Sequence, residues 1–127
     1  MSASPRATTR SPASPILEEA LHRTPDIEGM VLLQAKGEVL AVAGAHTDKR
    51  RQLASFAVGV FELSTRLATE SGRGDVEFHL MRTDDGHMAI HQVGEDRFLF
   101  SLAAAEAPLG LVTHDLGWCA DRLSRTR

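Results

Sequence analysis

Few residues in this chain have the type and spacing that chemistry needs. His79 and His91 flank a turn and would face each other across two strands if that turn held three residues. Zinc takes three or four protein ligands, and no Cys or carboxylate stands at ligand spacing from them. The pair is therefore expected as polar residues on a sheet face, repelling each other only if buried together and protonated. Ser71-Gly72-Arg73-Gly74-Asp75 is glycine-rich, but it precedes a strand and lacks the Gly-Lys-Ser of a phosphate loop. Asp84-Asp85 and Glu95-Asp96 fit turn chemistry better than acid/base catalysis. His114 and Asp115 are neighbours on a helix, about 100° apart, and are expected to form no relay. Cys119 lies among apolar residues at helical spacing and reads as a small core residue. No catalytic, cofactor-binding or metal site is expected. One cluster does break a local rule. Lys49-Arg50-Arg51 opens a helix at its positive end, where cations are disfavoured. Such a cluster suits an acidic partner surface or phosphates, or else is a solvated basic end partly offset by Asp48.

The elements that would position these groups fit one domain of 127 residues. Apolar content of 43% and charged content of 24% are those of an ordinary globular protein. A net charge of −3 argues against a dedicated nucleic-acid binder. No apolar run approaches the ~18 residues of a membrane span. The N-terminus lacks the apolar core of a signal peptide, so a cytoplasmic location is expected. A single cysteine excludes an internal disulfide.

Residues 1–14 are Ser, Ala, Thr, Pro and Arg after the initial Met, too polar to offset their ordering entropy, and read as a disordered tail. Ser14-Pro15 then opens a short helix with Ser14 as its cap. Met30 to Leu33 reads as a strand covered on both faces, and Glu38 to Val42 as its hairpin partner. A long helix follows from a Thr47 or Asp48 cap. Val76–Arg82, His87–Val93 and Arg97–Ala103 are three more strands, the last also doubly covered. Leu109 to Leu123 is the final helix, with Leu111, Val112, Leu116, Cys119, Ala120 and Leu123 at helical spacing. The order α-β-β-α-β-β-β-α predicts an α/β fold, a three-layer α/β/α sandwich on a five-stranded, mainly antiparallel sheet. The domain spans residues 15–124, with a short tail at 125–127.

The long helix is the organising element. Leu53, Phe56, Ala57, Val60, Leu63, Ser64 and Leu67 share one face. A second apolar stripe, Ala54, Val58, Phe61 and Ala68, lies beside it. Coverage this wide calls for two neighbours, and the second stripe is expected to need a partner. An isologous two-fold contact is the commonest solution. Ala54, Val58, Phe61, Thr65 and Ala68 are thus the helical part of an expected dimer interface. Val76, Phe78 and Leu80 are its strand part, if that strand is an edge free to pair with its copy. Gly59, mid-helix, costs ~1 kcal/mol against Ala unless another backbone approaches. The exposed helix surface, with Lys49, Arg50, Arg51, Ser55, Glu62 and Arg66, is the candidate partner-binding face.

This order of elements resembles the Roadblock family of dynein light chains and its bacterial MglB-type relatives. The likeness rests on Ile27-Glu28-Gly29-Met30-Val31-Leu32-Leu33 running through Lys36-Gly37-Glu38-Val39-Leu40-Ala41, on the long helix, and on Leu109-Gly110-Leu111-Val112 with Leu116. Lys36 stands where the family often has Asp before the turn glycine. The resemblance implies a homodimer in which long helices pack together and third strands pair edge to edge. It also implies binding to a small Ras-like GTPase, with stimulation of GTP hydrolysis and no inserted catalytic arginine. A structural or small-molecule-sensing module of similar layered shape is the other reading. No cofactor is implied.

Overall fold

The computed structural model describes residues 11–45 and 48–126. The elements are α1 (Ser14–Arg23), β1 (Ile27–Gln34), β2 (Val39–Gly44), α2 (Arg50–Glu70), β3 (Phe78–Thr83), β4 (Gly86–Val93), β5 (Arg97–Ala103) and α3 (Leu109–Ser124). The five strands form one sheet in the order β2-β1-β5-β4-β3, every neighbour antiparallel. The sandwich and element order expected from the sequence are those observed.

Why the sheet sits between two layers follows from the strand period. Met30 and Leu32 point to one face and Val31 and Leu33 to the other, and all four are buried. β5 divides likewise, Leu99 to one side and Phe98 and Phe100 to the other. The strands expected to be covered on both faces are thus the central ones, β1 and β5. On one side α1 and α3 supply Leu17, Ala20, Val112, Leu116, Cys119 and Leu123. On the other, α2 alone supplies Ala54, Ala57, Val58 and Phe61, with the Phe61 and Phe98 rings 5.1 Å apart. Thr24, ending α1, donates its hydroxyl to the buried Asp115 carboxylate of α3. That bond, ahead of lesser contributions from His114 and Arg23, holds Asp115 below the usual carboxylate range.

Gly44 is fixed by geometry. Its φ is +82°, and a Cβ there would stand 2.3 Å from the Glu28 carbonyl oxygen, which accepts from the Ala45 N–H at 2.6 Å.

Several local expectations change. Ala13, not Ser14, occupies the first cap, and Ser14 is the first residue inside α1. Residues 1–10 of the expected tail lie outside the described residues, as do Thr47 and Arg127. α2 starts after Lys49 without a side-chain cap, so Asp48 does not cap it either. β3 begins at Phe78, two residues later than expected, leaving Val76 ahead of the strand. Leu111 is half exposed, because α3 turns its Val112–Leu116–Cys119 side to the sheet.

Candidate protein-binding site

The largest departure concerns which stripe of α2 meets the sheet. Ala54, Val58 and Phe61 are buried against the chain's own β1 and β5 layer, so they are not a surface for a partner. Ala68 is half buried; Thr65 is exposed and donates back to the Phe61 carbonyl at 3.0 Å. Of the stripe expected to be covered, Ala57 is buried and Leu53, Val60 and Ser64 are half-buried, but the three bulkiest remaining side chains are open. Phe56 is 70% exposed, Leu63 67% and Leu67 72%. The reason is steric. Ala54 and Ala57 let the helix axis come close to the sheet, and the bulkier Phe56, Leu63 and Leu67 fall to the side. Gly59 lies next to this open stripe, and a Cβ there would meet nothing within 4 Å.

Beside the stripe the sheet ends. β3 pairs only with β4, so its outer edge is free. α2 lies over β1, β2 and β5, leaving an apolar groove of about 220 Å³ between itself and the β3–β4 side. Phe56, Val60, Met81, Met88 and Ile90 line it. At that edge Ser64 Oγ and His79 Nδ1 are 2.6 Å apart, tying α2 to β3. The groove is smaller than the ~300–1,000 Å³ of typical small-molecule pockets.

On the opposite sheet face a second groove, about 490 Å³, runs between the β3–β4 hairpin and α3. Its floor is Phe78 stacked on His91, ring centroids 5.0 Å apart and planes 18° apart. Glu77, Gly117, Ala120 and Asp121 are among its walls. His91 is 4% exposed, and neither ring nitrogen has a hydrogen-bond partner among the described residues. Burial pulls its pKa down to about 4, so the ring is neutral.

His79 and His91 therefore do not face each other. The turn has two central residues, Asp84 and Asp85; the register pairs His79 with Ile90 and Phe78 with His91, and the two imidazoles point to opposite faces. Among the described residues no group of three or more His, Cys, Asp or Glu side chains could hold a metal ion. The Cys119 thiol is buried and pushed up to about 12. His114 does reach its neighbour, Nδ1 to Asp115 Oδ1 at 3.2 Å, but Asp115 is already anchored by Thr24. What the surface offers is an open apolar stripe, a free strand edge and polar borders.

The Roadblock/LC7 domain family matches residues 16–103. The chain belongs to that family. Among solved structures, this Roadblock domain is similar to "MglB with tetrameric arrangement" (25% identity, TM-score 0.82, 89% of this chain and 85% of that one). It is similar to the gliding protein MglB of Thermus thermophilus (25%, TM-score 0.81, 89% and 86%). A Roadblock/LC7 domain from Streptomyces avermitilis shares the fold at 22% identity and TM-score 0.79, over 87% and 92%. No curated protein matches. The Gly29 and Gly37 motifs fall in the matched region, on β1 and the β1–β2 turn, while the Leu109-Gly110-Leu111 motif lies beyond it, at the start of α3.

In this Roadblock domain, Ser55, Glu62 and Arg66 are exposed and run along one border of the open stripe, on the far side of Gly59. Lys49, Arg50 and Arg51 are exposed at the start of α2, where no acidic residue occupies the first turn. The six candidate partner residues are thus all exposed, five on α2 and Lys49 at its cap. No helix among the described residues is long and apolar enough to cross a membrane.

Proposed function

We propose that this Roadblock domain works as a two-fold homodimer that binds and regulates a small Ras-like GTPase by protein contact alone, with no catalytic group of its own. The observation that carries the reading is the open Phe56–Leu63–Leu67 stripe beside a free β3 edge. Three large apolar side chains at helical spacing, each about two-thirds exposed or more, form the patch that a monomer rarely leaves in water. Gly59 beside them leaves room for a second helix at close range. The dimer interface is accordingly Phe56, Gly59, Val60, Leu63 and Leu67 on α2, with β3 at the sheet edge. The polar border of Ser55, Glu62 and Arg66, and the cations Lys49 to Arg51, then lie outside the apolar seam and remain open to the GTPase. Membership of the Roadblock/LC7 family and likeness to MglB support the partner class. A cytoplasmic site of action follows from that partner.

The test mixes the purified protein with a candidate Ras-like GTPase, loaded with GDP or with a GTP analogue, and reads size-exclusion with light scattering. Two copies of this chain with one GTPase, in the GTP-analogue form alone, is the expected result. A dimer that binds neither form overturns the partner. A monomer at ~100 μM overturns the dimer as well.

A further inference from the structure

We propose that the groove between the β3–β4 hairpin and α3 is completed by Arg82 of a second copy, in a β3–β3 pairing whose two-fold axis passes through Leu80. This rests on the dimer reading above and fixes its register. Both long helices lie on one side of a continuous sheet only if the axis is perpendicular to that sheet. Opposed residues must then point to the same face, and alternation makes their numbers sum to an even value. The strand spans Phe78–Thr83. Two even registers keep five residues of each copy paired. One places Leu80 on the axis, the other Met81.

Charge separates them. With Leu80 on the axis, the partner's Arg82 stands opposite Phe78, beside Glu77. Phe78, Leu80 and Arg82 share the α3 face of the sheet, the face that carries His91 and the groove. Arg82 and Glu77 are both exposed, and neither makes an ion pair within the chain among the described residues. Phe78 is 38% exposed above His91. A guanidinium there meets the exposed part of the Phe78 ring and the Glu77 carboxylate. By symmetry the contact forms twice. With Met81 on the axis, the partner's Asp84 would instead oppose Phe78, bringing a carboxylate to a groove already lined by Glu77 and Asp121. That register sets like charges together.

Cysteine scanning reads the register directly. Opposed residues in an antiparallel pair have Cα atoms ~4.5–5.5 Å apart, within disulfide range, while positions offset by two residues lie beyond ~7 Å. Under mild oxidation Leu80→Cys is expected to give a disulfide-linked dimer, and Met81→Cys little. The buried Cys119 thiol gives no background. In sedimentation equilibrium, Arg82→Glu is expected to weaken the dimer by about tenfold, and adding Glu77→Arg to recover most of that loss. Cross-linking of Met81→Cys but not Leu80→Cys overturns the register while leaving the dimer intact. So does a wild-type dimer in which neither links, or a charge swap that fails to rescue. A wild-type monomer overturns the dimer reading itself, and the register with it.

Discussion

His91 shows how one residue can carry information that its type alone does not. Counted in the sequence it is half of a possible histidine pair; in the structure it is a lone buried ring under Phe78. The difference comes from a turn of two residues instead of three, a count that moves a side chain to the other face of the sheet. Burial lowers its pKa from the usual 6.5 to about 4. Folding therefore favours the neutral ring. Its contribution is complete above pH 6.5 and is lost as pH falls toward 4, where the unfolded chain takes up a proton that the folded one does not. In urea unfolding between pH 7 and 4.5, the wild type should lose about 2 kcal/mol more than His91→Phe. Equal slopes would show that the ring protonates freely in the folded state. Gly44 gives a sharper test. Alanine there must displace the Glu28 carbonyl and hold a φ of +82°. Gly44→Ala should cost about 3 kcal/mol or more by chemical denaturation, whereas Gly94→Ala, strained in φ but with open space around it, should cost about 1 kcal/mol.

At the scale of the element, type and order were legible and orientation was not. Four apolar residues in a row announced β1 as a doubly covered strand, and the structure places it so. The period of α2 announced a helix. Its apolar arc, however, covers so much of the circumference that period alone supports either stripe against the sheet. The side that approaches the strands takes Ala57 from one stripe and Ala54, Val58 and Phe61 from the other, while Phe56, Leu63 and Leu67 stand away from it. Asp115 was missed for a related reason: an acid inside an apolar helix face gives no sign of the Thr24 hydroxyl, 91 positions earlier, that satisfies it. The reassignment of α2 makes a paired prediction. Phe61→Ala should destabilise the fold by about 3 kcal/mol, since it empties the contact with Phe98. Leu67→Glu should leave chemical stability at low protein concentration within about 0.5 kcal/mol and abolish the dimer in sedimentation. The reverse pattern would return the sheet-facing role to the Leu67 stripe.

At the scale of the molecule, two unfinished surfaces meet on one side. α2 lies mainly over β1, β2 and β5 and reaches β3 through Ser64 and His79, and the sheet edge, the apolar groove and the Phe56–Leu67 stripe form one continuous region. A second copy that added its β3 to the edge would bring its α2 toward the groove, so the proposed dimer joins both contacts. Coupling of that kind makes association and folding share their free energy. The thermal midpoint should then rise with protein concentration, because the folded dimer is favoured by mass action while unfolded chains are not. Between ~1 and ~100 μM the rise should be about 3 °C or more, as each tenfold in concentration adds roughly 1.4 kcal/mol per mole of dimer. Leu63→Glu, on the exposed stripe, should flatten that dependence without altering the strand core. Arg82→Glu, with a dimer about tenfold weaker, should lower the midpoint at ~100 μM to that of the wild type at ~10 μM and converge on the wild type only where both are monomeric. Differential scanning calorimetry across that range reads both slopes, and a midpoint independent of concentration in the wild type would mean that the stripe and the edge are covered by something other than a second copy of this chain.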